Sequence, residues 1–100
     1  MAAAYLMAKG YRVIARRCVT AAGEIDLIAI RGRTLAFVEV KRRPTLIQAE
    51  AAMTDRQSAR IRRAADLWLA QHPPYQAHDI RFDAVFLIRR AWPRHVEGRL

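Results

Sequence analysis

Four short stretches of the chain have the hydrophobic pattern of β-strands. Two of them are nearly continuous apolar runs, and the other two alternate apolar with polar residues. Short apolar runs and period-two alternation are typical of strands that bury one or both faces. We therefore predict strands at YRVIARR (11–17), EIDLIAI (24–30), TLAFVEVK (34–41) and DIRFDAVFLIRR (79–90).

Two other segments have a helical pattern. Residues 2–9 are good helix formers and end at Gly10, a residue suited to a helix C-terminus. A second helix is predicted from about Asp55 to Gln71, before the helix breaker Pro73. Its apolar residues recur at spacings of three and four, as in an amphipathic helix: Ile61, Ala64, Ala65 and Trp68.

The order of the predicted elements is helix, three strands, helix, strand. It predicts one domain over residues 1–100 with an α/β fold, a three-layer sandwich around a central mixed sheet. Residues 43–53 fit either a loop or a short helix, because Pro44 breaks the preceding strand. The last ten residues, AWPRHVEGRL, are predicted to be irregular.

Composition narrows the possible classes of protein. With 53% hydrophobic and 27% charged residues, the chain resembles an ordinary globular protein, and it has no apolar run long enough for a membrane span. The N-terminal segment lacks the basic leader and long apolar stretch of a signal peptide. The single Cys18 cannot form an internal disulfide. We expect a cytoplasmic protein without a membrane segment.

The charge balance points to a class of partner. Eighteen basic residues against nine acidic ones give a net charge of +9. This excess suggests an anionic polymer as partner, and it is equally compatible with a solubilising surface. Sixteen of the basic residues are Arg, and only Lys9 and Lys41 are Lys. A lysine inside a predicted strand, at position 41, therefore stands out.

Four charged residues interrupt the second and third predicted strands at intervals of two. A two-residue loop that begins at Gly32 would suit a type II′ turn and would fix the register of the hairpin. Asp26 would then lie opposite Glu39, and Glu24 opposite Lys41. Opposed residues have Cβ atoms about 4.5–5.5 Å apart, so the side chains of each pair would be neighbours.

Two opposed carboxylates admit two interpretations. Either one of them takes up a proton, or a cation lies between them. Mg²⁺ fits the second interpretation, because it is often held by one or two carboxylates with waters and substrate phosphates. The alternative is a solvated sheet face with cross-strand ion pairs. The apolar residues around Glu39 and Lys41 in LAFVEVK favour the metal site.

The same residues resemble a known nuclease pattern. Asp26, twelve intervening residues and Glu39-Val40-Lys41 resemble the acidic residue, hairpin and E-x-K of the PD-(D/E)XK nuclease superfamily. More closely, AAAYLMAKGYRVIARR, GEIDLIA, FVEVKRR, RFDAVFLI and WPRHVEG resemble the small bacterial YraN-like family. That family is predicted to be endonuclease-like and to resemble archaeal Holliday-junction resolvases in fold. The resemblance covers nearly the whole chain.

The resemblance implies a restriction-endonuclease-like core and Mg²⁺- or Mn²⁺-dependent hydrolysis of DNA phosphodiester bonds, including those of branched DNA. It makes Asp26 and Glu39 metal ligands, with the carbonyl of Val40 as a third. Lys41 would stabilise charge that develops on the attacked phosphate. Glu24 would either assist the metal, hold Lys41 in place or serve as a simple ion-pair partner. The alternative function is a non-catalytic nucleic-acid-binding module with a vestigial metal site.

Two further residues have a functional and a structural interpretation. Gln57 is either a polar residue of the site or, with Thr54, part of a capping box at the start of the second helix. Asp83 favours a structural role, for example an ion pair with Arg81. Many relatives carry a Glu in the first helix that approaches the metal. The predicted first helix of this chain has no acidic residue, which leaves the completeness of the site open.

Arginines and a tryptophan are candidates for partner contacts. Five arginines form the predicted phosphate-binding row, unless they merely solvate the surface: Arg42, Arg43, Arg56, Arg60 and Arg63. Trp68 is predicted to lie in the core. Trp92 either covers the sheet or belongs to a dimer interface, since resolvase-like relatives commonly act as homodimers.

Overall fold

The computed structural model describes residues 1–100 and contains three α-helices and one five-stranded sheet. The helices are α1 (Ala2–Ala8), α2 (Leu46–Ala51) and α3 (Asp55–Ala70). The strands are β1 (Arg12–Thr20), β2 (Gly23–Arg31), β3 (Thr34–Arg43), β4 (Asp79–Ile88) and β5 (Arg94–Val96). A short 3-10 turn at Pro73–Tyr75 precedes β4. The predicted α/β class is confirmed.

The sheet is mixed, as predicted. Its strands lie in the order β1-β2-β3-β4-β5, and only β3 and β4 are parallel. Parallel neighbours need a long crossover, and α2 and α3 supply it. The β2–β3 hairpin has the predicted register from Arg31↔Thr34 to Leu27↔Val38. Gly32 has a φ of +59° while Arg33 keeps a negative φ, the combination that a type II′ turn requires.

Helices cover both faces of the sheet, which confirms the predicted three layers. On one face, Leu6 of α1 packs in a cluster with Val38 and Val85. On the other face, Trp68 of α3 packs in a cluster that includes Phe37, the neighbour of Val38 on β3. Alternation along β3 therefore sends successive side chains to opposite helices. None of the three helices has both the length and the apolar character needed to cross a bilayer.

Three elements differ from the sequence-based expectations. The first strand continues to Thr20, three residues beyond its predicted end. The segment 43–53, which fitted a loop or a helix, forms α2, and the Thr45 hydroxyl caps it by accepting the Gln48 N–H at 3.2 Å. The tail predicted to be irregular contains β5. Its three residues are too few to show a strand pattern, and pairing with β4 at Ala84↔Val96 defines them.

A buried ion network joins β4 to the C-terminal segment. Asp83 is fully buried and accepts two hydrogen bonds from the Arg81 guanidinium, both at 2.8 Å, which confirms the predicted ion pair. His95 Nε2 lies 2.7 Å from the same carboxylate, and the Gly98 N–H donates to it at 3.0 Å. Burial alone would raise the pKa of Asp83, but the bonds from His95, Arg81 and Gly98 lower it to about 2.

We predict that Asp83→Asn lowers the free energy of unfolding by about 3 kcal/mol near neutral pH, because it removes the charge of the buried carboxylate that pairs with Arg81 and His95. The folded-state pKa of Asp83 is depressed from 3.8 to about 2. Its stabilising contribution is therefore present above the unfolded-state pKa and is lost as pH falls towards about 2. Urea denaturation near neutral pH and near pH 2 should show that the difference in unfolding free energy between wild type and variant is smaller in acid. The exposed Asp79→Asn is the control and should change stability little at either pH.

Candidate metal centre and basic clefts

The candidate site lies where β2 separates from β3. Their ladder ends at Leu27↔Val38, one position before Asp26 and Glu39 would pair. Beyond that point the Asp26 carboxylate accepts the Val40 N–H at 2.8 Å. A side chain of β2 thus replaces the backbone partner that β3 would otherwise have. This bond keeps the N–H of a half-buried strand residue satisfied and holds Asp26 beside Glu39.

The strand alternation breaks at the same place. Ile25 and Ile28 pack in the same core cluster although they are three positions apart, a spacing that a regular strand would send to opposite faces. On the neighbouring β1, Arg17 has a φ of +49°, between the pairs Arg16↔Leu27 and Cys18↔Ile25. The local irregularity of both strands turns Asp26 towards the gap between β2 and β3.

Glu39 is one of only two buried charged side chains. Its Oε2 accepts a hydrogen bond from Gln57 Nε2 at 2.7 Å. The Lys41 ammonium lies 3.6 Å from the same oxygen, and the Arg60 guanidinium lies 3.7 Å from it. One hydrogen-bond donor and two cationic groups, from β3 and α3, therefore converge on one carboxylate oxygen.

The pKa of Glu39 is strongly perturbed by its surroundings. Burial raises the pKa of Glu39, and the adjoining Asp26 carboxyl raises it further through a hydrogen bond and its charge. Lys41 and Arg60 partly oppose this effect, and the resulting pKa is about 7. The sequence pattern predicted such a perturbation, because two close carboxylates share a proton unless a cation lies between them.

The structure decides between the two interpretations of Gln57. Its backbone N–H donates to the Thr54 hydroxyl at 3.2 Å, which caps α3. In a capping box its side chain would turn back to the Thr54 N–H. Instead, the side-chain amide reaches Glu39, so the backbone of Gln57 completes the Thr54 cap while its side chain contacts the candidate site.

The predicted position of Glu24 is wrong. Its side chain is exposed and forms no ion pair with Lys41, whose acidic partner is Glu39. The prediction assumed a regular β2 opposite β3, but the ladder has ended before residue 24 is reached. The backbone carbonyl of Glu24 accepts a hydrogen bond from Arg60 Nη1 at 3.1 Å, and the residue lines the cleft that contains Asp26.

Gly23 and Arg60 position the site in a way that the sequence pattern did not reveal. Gly23 has a φ of +130°, and a Cβ at this position would overlap the Arg60 guanidinium. The glycine therefore opens the path by which Arg60 extends from α3 to Glu24 and Glu39. Arg60 was predicted only as a phosphate contact. The glycine at the start of GEIDLIA was the available signal for such a close approach.

Two basic clefts adjoin the carboxyl pair. One, of about 530 Å³, is lined by Lys41 and by the α3 residues Arg56, Gln57, Arg60 and Arg63. The other, of about 350 Å³, is lined by Asp26, Val40, Arg42 and residues of α1 and β1. The structure thus brings Lys41 and the predicted α3 row together in one cleft and Arg42 into the other. Arg43 is exposed beyond them at the end of β3.

The side chains present fit a metal ion only if solvent or substrate completes its shell. No group of three His, Cys, Asp or Glu side chains is arranged to hold a metal ion. Two adjoining carboxyls, one with its pKa raised to about 7, do fit Mg²⁺, which keeps several waters and needs only one or two carboxylates.

Fold and site together define a small α/β protein in which a buried Glu39 and a half-buried Asp26 adjoin each other between basic clefts. Its sequence matches the model of "Uncharacterised protein family UPF0102" over residues 1–87. A UPF0102 protein of Methylorubrum extorquens is 57% identical over 91 residues, which cover 91% of this chain and 71% of the relative. One of Nitrobacter winogradskyi is 52% identical over 97 residues, or 97% of this chain and 82% of the relative. The chain belongs to the UPF0102 family, which confirms the YraN-like resemblance.

We predict that, with metal removed by a chelator, Glu39→Gln stabilises the protein above neutral pH. The folded-state pKa of Glu39 is raised from 4.5 to about 7, so its ionisation costs stability as pH rises through this interval. The variant should gain about 2–3 kcal/mol near pH 8 and almost nothing near pH 4. Urea denaturation across this range measures the difference. The control, Glu50→Gln, replaces an exposed residue and should show no such pH dependence. Equal behaviour of the two variants would contradict the raised pKa of Glu39.

We also predict energetic coupling between positions 23 and 60. Gly23→Ala should destabilise the protein both through its positive φ and through overlap with Arg60. In an Arg60→Ala background only the backbone strain remains, so the cost should fall by about 1 kcal/mol. Gly98→Ala is the matched control, since it has a φ of +66° but open space around the added Cβ. A double-mutant cycle that shows no coupling at position 23 would disprove this packing role.

Proposed function

We propose that the protein is a metal-dependent endonuclease of the PD-(D/E)XK type, with a restriction-endonuclease-like core, that hydrolyses DNA phosphodiester bonds. The observation that carries the proposal is the adjoining pair of Asp26 and Glu39, with Lys41 3.6 Å from Glu39. A buried Glu39 beside a second carboxyl is costly for the apo protein, and a carboxyl whose pKa is raised by burial and a charged neighbour is characteristic of functional sites. A homodimer and a cytoplasmic location stay predictions.

The metal ligands would be Asp26, Glu39 and the carbonyl of Val40. A bound Mg²⁺ or Mn²⁺ would activate a water and neutralise charge on the attacked phosphate. Asp26 already accepts the Val40 N–H, so this bond would orient two of the three ligands at once. Gln57 would hold Glu39 by its 2.7 Å hydrogen bond and leave the other carboxylate oxygen for the ion.

Lys41 would act on the phosphate group. Its side chain is 14% exposed, so the ammonium is partly removed from water and yet reachable from the cleft on the α3 side. In such a place a fixed positive charge stabilises developing negative charge more strongly than it does in bulk solvent. Arg56 and Arg63 line the same cleft and would bind neighbouring phosphates. Arg60 would donate to the Glu24 carbonyl and also present positive charge to the cleft.

A second function, a non-catalytic nucleic-acid-binding module, is favoured by one observation. The site has two carboxylates and no group of three acidic, His or Cys side chains, and α1 contributes no acid to it. A binder would keep the basic clefts and use the carboxyl pair only to order β2 and β3. The two functions make opposite predictions for Lys41.

We predict that Lys41→Ala reduces metal-dependent cleavage by about 100-fold or more while changing DNA affinity by less than about threefold, because it removes transition-state stabilisation rather than binding. Arg56→Ala, from the same cleft, is the control and should weaken binding and its salt dependence while sparing the cleavage rate at saturation. Cleavage of a labelled four-way junction and of a linear duplex measures both. In a binding module the two variants would behave alike, and wild type would not cut.

Metal binding tests the carboxyl pair directly. Asp26→Ala should abolish the calorimetric signal of Mg²⁺ or Mn²⁺ binding, since it removes one of two side-chain ligands. Asp66→Ala, an exposed carboxylate on α3, should leave that signal unchanged. Junction binding by wild type without any metal uptake would overturn the catalytic proposal and favour the binding module.

A further inference from the structure

A third cleft lies where the two parallel strands end together. β3 and β4 pair in register as far as Arg42↔Leu87 and Arg43↔Ile88, so the residues that follow them leave the sheet at the same edge. Between these exits is a cleft of about 800 Å³. Its apolar floor includes Leu87 and Pro93, and its far wall carries Trp92.

Trp92 has no packing role in the fold. Its side chain is 86% exposed, whereas Trp68 is 6% exposed and stacks on His72 with ring centroids 4.0 Å apart. Of the two interpretations offered for Trp92, covering the sheet is therefore wrong. A single exposed apolar side chain is ordinary on a protein surface, but this indole lines a cleft, where its ring can stack on a ligand.

The charge of the cleft specifies the chemistry of its ligand. Four of its eleven lining residues are arginines and none is acidic: Arg42, Arg43, Arg89 and Arg90. A second copy seated here by two-fold symmetry would place these arginines against each other, so charge disfavours a homodimer through this face. An aromatic ring among arginines is instead the combination that binds single-stranded nucleic acid, with stacking for bases and positive charge for phosphates.

The cleft is continuous with the candidate metal site. Arg42 and Leu87 line both this cleft and the smaller one that contains Asp26 and Val40. A strand whose phosphate lay at Asp26 would therefore extend past Arg42 into the cleft lined by Trp92. Duplex DNA offers no free base face to an indole at such a position, because its bases are stacked on one another.

We propose that this cleft binds an unpaired nucleotide, with its base stacked on Trp92 and its flanking phosphates held by Arg42, Arg43, Arg89 and Arg90. The proposal rests on the proposed function and narrows its substrate class. The strand that enters the site carries an unpaired base next to the phosphate at the carboxyl pair, as in single strands, flaps and opened junctions.

The test compares single-stranded with duplex binding in a chelator, so that cleavage plays no part. Fluorescence anisotropy would follow a labelled oligonucleotide of about twelve residues and the blunt duplex of the same sequence. Trp92→Ala should weaken single-strand binding about tenfold and duplex binding less than about twofold. Trp92→Tyr keeps a ring and should stay within about threefold of wild type. Val19→Ala, which removes another exposed apolar side chain on β1, should have no effect.

The arginines give a second readout. Arg89→Ala should make the slope of log affinity against log salt less negative by about 0.7 for the single strand, the value of one lost phosphate contact. Arg99→Ala, outside the cleft, should leave that slope unchanged. Equal losses for single strand and duplex in Trp92→Ala, or no loss at all, would overturn the base-stacking subsite.

Failure of this inference and failure of the proposed function are separable. Metal-dependent cleavage by wild type, with binding indifferent to Trp92, would leave the nuclease and remove the subsite. Trp92-dependent single-strand binding without cleavage would leave the subsite and remove the nuclease. Since indole and arginine also suit anionic bilayers, phosphatidylserine vesicles form the last arm. Trp92-dependent vesicle binding without oligonucleotide binding would overturn the inference.

Discussion

The hydrogen bond from the Val40 N–H to the Asp26 carboxylate is the interaction on which the candidate site depends. It lies at the point where the β2–β3 ladder stops, and it lets the strands separate without leaving a strand N–H unsatisfied. Without it, the Val40 N–H beside the buried Glu39 would lose its partner, and Asp26 would lose one of the contacts that hold it beside Glu39. The same hydrogen bond therefore determines both how the strands separate and where the Asp26 carboxylate lies.

The helix α3 supplies the rest of the arrangement from the other side. Gln57 and Arg60 reach the Glu39 carboxylate from successive turns, and Thr54 fixes where the first of these turns begins. Both contacts cross from helix to sheet, so the position of α3 determines the electrostatic environment of Glu39. Gly23 is part of this arrangement because it leaves room for Arg60.

The sequence predicted the features that depend on local pattern. The hairpin register followed from one loop length at Gly32, and the core face of α3 followed from the spacing around Trp68. Features that depend on tertiary contacts were missed or left open. The side chain of Gln57 had two plausible partners, the three-residue β5 had no periodicity to detect, and Glu24 was misplaced because strict alternation cannot foresee where a strand leaves its ladder.

Each of the two polar networks, one around Asp83 and His95 and the other around Glu39, contains one of the two lysines of the chain. A lysine-specific reagent can therefore probe each network separately. The only two lysine ammonium groups lie in different networks, Lys9 Nζ at 2.6 Å from His95 Nδ1 and Lys41 Nζ at 3.6 Å from Glu39. Acylating reagents attack the free amine, so a lysine held in a polar contact reacts only while that contact is broken. The acylation rate of each lysine, followed by peptide mass mapping, thus reports how often its own network opens: one at the end of the sheet, the other beside the carboxyl pair.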